Sequence, residues 1–359
     1  MTTSREPLST SALSRAPRDA GRAVRLWLGI VALMVAATAL VGAATRLTGS
    51  GLSITEWQPL LGILPPGSEA AWQAAFAKYQ AIPQYAQLNR GMSLEAFKTI
   101  YWWEWSHRLI ARSIGVVFLL PFIIFLVRGA IPRPLVPRLV LVFLLGGLQG
   151  AVGWYMVSSG LVDRVDVSQY RLALHLGLAF LILGLLVWTW LDLRPPREAA
   201  PYLATTTPTQ RTLASVLLGL TFLQVLLGAL VAGLKAGRTF NTWPLMDGAF
   251  VPAALLQQSP GYRDLFENAA TVQFNHRMAA YVLVALASWQ ALSVVRSADD
   301  GFLRVTAGAL AALVLAQTLL GIWTLLAWVP LSLGLAHQAG ALAVFVAAVT
   351  HRHTIGRAA

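Results

Sequence analysis

Eight apolar runs, each close to twenty residues long, constrain this chain more than any other feature. A helix needs about twenty residues to cross the hydrocarbon of a bilayer, and in lipid a helix satisfies its own backbone hydrogen bonds. The runs fall at about 26–44, 109–127, 135–157, 172–192, 211–233, 277–296, 303–327 and 330–350. The expected fold is therefore all-α, a polytopic membrane protein with eight transmembrane helices, which the internal repeat described below divides into two four-helix bundles. Composition agrees, with 57% hydrophobic and 12% charged residues, outside the range of soluble domains. The net charge of +12 lies in short segments between the runs. That placement fits topology and anionic lipid headgroups, and it argues against nucleic acid as a partner. The chain has no cysteine, which excludes disulfides, thiolate metal sites, iron–sulfur clusters and covalently attached c-type haem.

Arginine placement orients the spans. Arg128, Arg133 and Arg138 separate the second and third runs; Arg194, Arg197 and Arg211 the fourth and fifth; Arg296 and Arg304 the sixth and seventh. By the positive-inside rule these loops and both termini face the cytoplasm. The long loops 46–108 and 234–276 then face outward, and Glu69–Gln80 suits a short helix lying on the interface. Residues 1–25 read as a disordered cytoplasmic tail, 193–210 as a cytoplasmic linker and 351–359 as a second tail. The halves are 26–192 and 211–350. Pro121, inside the second run, is expected to kink it.

The two halves repeat each other in order. The loops after runs one and five share a Thr–Trp–Pro core, Thr55, Trp57 and Pro59 against Thr242, Trp243 and Pro244. Runs two and six open with His107-Arg108 and His276-Arg277; runs three and seven carry Gln149 and Gly153 against Gln317 and Gly321; runs four and eight carry His175 and His337. An even number of spans per half makes the repeat parallel, with a pseudo-twofold along the membrane normal.

Of the six histidines, His351 and His353 fall in the C-terminal tail and read as a solvated basic end. The other four form equivalent pairs, His107 with His175 and His276 with His337. Histidine inside a span is costly without a partner, and facing histidines on two helices of a bundle are a means of holding haem iron. Arg108 and Arg277 serve either as interfacial anchors or as bidentate partners of haem propionates. Gly146, Gly147, Gly150 and Gly153 either admit a flat macrocycle or let helices pack closely.

One asymmetry breaks the repeat. Glu104, in the stretch YWWEWSHRLIAR, stands three residues before His107, whereas Gln273 stands three before His276. The side chains are alike in shape, but only Glu104 can carry charge or exchange a proton.

From about Arg22 to Val349 the sequence resembles the haem A synthase family, of the type that lacks loop cysteines. The stretches carrying the likeness are GAATRLTGSGLSITEW, EWSHR, NTWPLMDGAFVP, FNHRMAAY and AHQAGA. The resemblance implies an oxidoreductase of the bacterial inner membrane that converts the C8 methyl of haem O to the formyl of haem A for terminal oxidases, with water as oxygen source. It implies His107 and His175 as axial ligands of the substrate haem iron, His276 and His337 as ligands of a resident haem b, and Glu104 as the catalytic residue, either a base for water or an electrostatic partner of a cationic intermediate. It implies a haem O synthase and an electron acceptor as partners, and it allows a homo-oligomer. Two other functions fit part of the pattern. A dihaem b-type electron-transfer cytochrome has no use for the Glu104/Gln273 difference. A transporter would place acids or broken helices at the midplane.

Overall fold

The computed structural model describes residues 18–58, 61–194, 206–298 and 300–357. They form α1 (Arg18–Leu47), α2 (Glu69–Gln80), α3 (Pro83–Leu88), α4 (Leu94–Val127), α5 (Val136–Ser158), α6 (Gln169–Asp192), α7 (Pro208–Gly233), α8 (Asp264–Glu267), α9 (Ala269–Ser297), α10 (Gly301–Leu326) and α11 (Leu331–Arg357). Eight of these, α1, α4, α5, α6, α7, α9, α10 and α11, are long and apolar enough to cross a membrane. The only β pairing among the described residues is an isolated bridge between Met246 and Ala249.

Local chemistry sets where the helices begin. Ser93 caps α4 by accepting from the Ala96 amide, so α4 starts well ahead of the apolar run and carries Tyr101–Arg112 as helix. It stays helical through Pro121. Thr207 and Gln210 form a reciprocal capping box at the start of α7, with Pro208 in its first turn. Asn268 caps α9 through the Ala270 and Thr271 amides, and Asp300 caps α10. Each cap satisfies amides that no earlier turn can reach.

The packing partners recur between the halves. α1 packs on α4, α6 and α11, while α7 packs on α9, α11 and α6; α5 lies on α6 as α10 lies on α11. The main core runs from Val24, Trp27 and Leu28 through Phe118, Leu139, Phe180 and Leu186, and crosses into the second half at Val225, Phe345 and Val349. A second core joins α7, α9, α10 and α11. Outside the bundle Leu52, Phe76, Tyr79, Phe97 and Tyr101 tie α2 and α3 to the start of α4. The outward faces are apolar, with Leu33, Val116, Leu144, Val305 and Leu319 more than half exposed. A face of that kind matches lipid rather than water.

Two sequence expectations are corrected. α1 begins at Arg18, so residues 18–25 belong to a helix and not to a disordered tail; residues 1–17 lie outside the described residues, as does most of the linker (195–205). The C-terminal tail is likewise helix. α11 continues to Arg357 and turns His351 and His353 inward, both buried. His351 Nε2 lies 3.0 Å from Gln290 Nε2 and its Nδ1 3.1 Å from Thr306 Oγ1. His353 Nε2 lies 2.9 Å from Asp192 Oδ1, whose other oxygen accepts from Arg138. A buried imidazole needs such partners, and they come from neighbouring helices that a linear reading does not place beside it.

Candidate active site

The four intramembrane histidines project from α4, α6, α9 and α11 into one cavity of about 940 Å³ between the bundles. His107 with His175, and His276 with His337, are electrostatic neighbours within each half. Each ring lies against a glycine of an adjacent helix: Gly42 of α1, Gly153 of α5, Gly228 of α7 and Gly321 of α10. A Cβ built on these glycines would sit 2.9, 2.9, 3.1 and 2.9 Å from the nearest ring atom. No larger residue fits without moving the imidazole, so these glycines fix the ring positions. Gly153 and Gly321 stand out in the sequence repeat. Gly42 and Gly228 do not, although aligning α1 with α7 on the tryptophans of the following loops brings the two into register.

Glutamines steady three of the four rings. Gln149 donates to the His175 carbonyl (3.0 Å), with its amide nitrogen 3.4 Å from the ring Nε2. Gln224 does the same for His276 at 3.0 and 3.5 Å, and Gln317 for His337 at 2.7 Å, with 3.1 Å to Nδ1. Beside His107 the repeat position is Thr38, whose hydroxyl bonds to its own helix at Met34 O. The role of Gln224 was not evident in the sequence, because it has no counterpart in the first half.

Behind the histidines an arginine in each half pins the loop above. Arg108 donates to Glu104 Oε1 (2.6 Å), Glu56 O (2.9 Å) and Ile54 O (2.8 Å). Arg277 donates to Gln273 Oε1 (3.0 Å), Thr242 O and Phe240 O (both 2.9 Å). Both guanidinium groups thus hold loop carbonyls, a function that the anchor and propionate readings do not include. Arg112 adds bonds to Gln58 O and Gly62 O, and Trp57 stacks on Trp154 at 6.0 Å.

Glu104 and Gln273 occupy matching places and are both buried, at 4% and 3% exposure. Their bonding differs at one atom. Gln273 uses both ends of its amide, donating through Nε2 to Ala236 O. Glu104 lines the cavity and places only Oε1 on Arg108; Oε2 has no hydrogen-bond partner among the described residues. A carboxylate oxygen is therefore left to face the cavity beside His107.

No group of three or more His, Cys, Asp or Glu side chains able to hold a bare metal ion occurs among the described residues. Paired histidines suit an iron that brings its own equatorial ligands. The buried ring nitrogens His175 Nδ1 and His276 Nδ1 have no hydrogen-bond partner among the described residues, and the cavity lining is largely apolar. These residues fit haem.

A family profile described as cytochrome oxidase assembly protein, COX15-CtaA, matches residues 25–349. The chain belongs to this family. Among COX15-CtaA relatives, the heme A synthase of Parvibaculum lavamentivorans is 50% identical over 335 residues, 93% of this chain and 95% of that protein. The heme A synthase of Bradyrhizobium diazoefficiens is 55% identical over 337 residues, covering 93% and 92%. That of Azorhizobium caulinodans is 54% identical over 333 residues, covering 92% and 93%. The matched region contains Glu104 and the four cavity histidines and ends just before His351.

Proposed function

We propose that the protein is a haem A synthase, an oxidoreductase that converts haem O to haem A in the bacterial inner membrane. One observation carries the reading: two equivalent histidine pairs share a cavity, and only one has an acid beside it with a free carboxylate oxygen. His107 and His175 hold the substrate haem; His276 and His337 hold a resident haem b. The bound haems supply the iron redox chemistry and the path for electrons.

Conversion of the ring methyl to a formyl with oxygen from water releases protons and electrons in equal number. Glu104 Oε2 is the atom that takes up a proton from water or from the hydroxylated carbon. Arg108 orients the carboxyl group through Oε1, leaving Oε2 to act. Arg108 and Arg112 hold the Ile54, Glu56, Gln58 and Gly62 carbonyls over the site and limit access of bulk water. Gln149 keeps the His175 ring turned to the cavity, and Gly42 sets how closely His107 approaches.

The two halves act as pseudo-twofold-related bundles, 26–192 for catalysis and 211–350 for haem b. Both termini face the cytoplasm, and the sites lie toward the outer leaflet. An electron acceptor and a haem O synthase complete the pathway.

The test is the non-covalent haem content of purified protein. Haem b together with haem O or haem A supports the synthase. Haem b alone, with no haem A formed in cells lacking their own enzyme, would leave the dihaem cytochrome as the better reading.

A further inference from the structure

Three cations line the cavity where the two halves join, and the chemistry above uses none of them. Arg46 lies in the last turn of α1, within a helix apolar enough to cross a membrane. Its side chain is partly buried and makes no hydrogen bond among the described residues. The charges that act on it are Asp166, ahead of α6, and Arg238, in the turn after α7. Asp166 is already ion-paired with Lys235 at 2.5 Å. Arg238 has only a long contact, 3.4 Å to Val329 O. All four residues line the cavity that holds the histidines.

Positive charge is therefore in surplus at this point, with one acid for three cations. An unpartnered guanidinium in a membrane span is expensive and marks a functional site. Its place in the helix says what it faces. Arg46 is one turn beyond Gly42, the glycine against which the His107 ring rests. Arg238 is two residues beyond Ala236, whose carbonyl accepts from Gln273 in the other half. The repeat does not duplicate the cluster, because α7 has Ala232 at the position of Arg46. It is a single site between the halves, lining the same cavity as both histidine pairs. Arg108 and Arg277, by contrast, already hold loop carbonyls.

We infer that Arg46, Arg238 and Lys235 form an anion site on the seam that binds the propionate carboxylates of haem held in the cavity. This rests on the haem reading above. An arginine presents a planar fork that matches a carboxylate, and a carboxylate would neutralise the surplus that Asp166 leaves. An anionic lipid headgroup offers similar oxyanion chemistry, and the experiment separates the two.

Full-length protein made in haem-deficient cells is titrated in detergent with ferric protoporphyrin IX and, separately, with its dimethyl ester. Low-spin absorption reports bis-histidine binding. The expected result is a preference of about tenfold to a hundredfold for the free acid, the scale of losing charge-assisted hydrogen bonds. The double variant R46Q/R238Q should lose most of that preference while still giving the low-spin spectrum, and R46K should keep much of it. Low-spin binding without any acid preference in the wild type would overturn the proposal, as would a preference undiminished in the double variant. Loss of co-purified anionic lipid in the double variant, with the acid preference unchanged, would assign the site to lipid instead. Absence of low-spin binding by either compound would refute the haem reading itself, and this proposal with it.

Discussion

Glu104→Gln isolates chemistry from structure, because the second half already uses glutamine at that place. Gln273 accepts from Arg277 at 3.0 Å while that arginine holds two loop carbonyls. In Glu104→Gln the amide oxygen can take over the 2.6 Å contact from Arg108, and Arg108 keeps Glu56 O and Ile54 O. The loss is the difference between a charge-assisted and a neutral hydrogen bond, about 1–2 kcal/mol. Glu104→Ala is different: it removes the counter-charge of the partly buried Arg108 guanidinium, which costs up to about 3–5 kcal/mol. The Gln variant should therefore insert, fold and carry both haems, with a modest fall in thermal stability. Its haem A yield should drop by about a hundredfold to ten-thousandfold, the usual worth of general acid–base assistance. The assay is haem composition by chromatography of purified protein, beside haem A production in cells lacking the native enzyme. Near-normal haem A output would refute the reasoning and make Glu104 a structural partner of Arg108.

Gly42→Ala and Gly228→Ala should each displace one imidazole and weaken the low-spin haem spectrum, whereas Gly146→Ala, with nothing within 4 Å of the new Cβ, should leave the spectrum unchanged. His276→Ala should abolish low-spin haem b absorption; an unaltered spectrum would remove His276 from the ligand set. Burial would raise the Asp264 carboxyl above its ordinary 3.8, but bonds from Thr271, Asn268 and the Gln258 and Leu256 backbone hold it at about 2. Its contribution to stability is thus present above about pH 4 and lost as pH falls toward 2, so thermal melts of wild type and Asp264→Asn should converge across that interval. Reporter fusions in loops 46–106 and 234–276 should both read as external, and a cytoplasmic readout from either would overturn the orientation.

Hydropathy made the helical spans legible because membrane thickness leaves little freedom in their length. Where the ends were misjudged, polar or aromatic residues continued a helix beyond its apolar part. Thus α4 begins at Leu94 rather than near 109, because Ser93 caps it and Trp102, Trp103 and Trp105 carry it outward as helix. α11 runs to Arg357 because His351 and His353 find Gln290, Thr306 and Asp192 on other helices. The histidine pairs and the Glu104/Gln273 difference were legible because the repeat supplies an internal comparison. The glycine backing of His107 and His276 was not, since a small residue becomes informative only when its neighbour across the helix interface is known. The role of Arg108 was hidden for a related reason: its partners are backbone carbonyls of loop 54–56, which leave no trace in side-chain identity.

The departures from the repeat fall on one side, and together they bear on why one half would do chemistry. Gln224 steadies His276, but Thr38 leaves the His107 ring without such a partner. Tyr281 bonds to Trp243 over the second pair, and its counterpart Arg112 ties down the loop over the first. On α5, Gly146, Gly147 and Gly150 stand where α10 has Val314, Leu315 and Thr318. A Cβ added at any of these three glycines meets nothing within 4 Å, so that wall of the first site is open rather than closely packed. A resident cofactor gains from a rigid, filled surround, which slows its release. A substrate that must enter, react and leave gains from space at its edge and from fewer fixed contacts on its ligands. The first half has the open wall, the less restrained histidine and the carboxylate with a free oxygen. The second has Val314 and Thr318 in the corresponding wall, two steadied histidines and an amide bonded at both ends. On the proposed reading these are one difference: a site built for turnover beside a site built for retention.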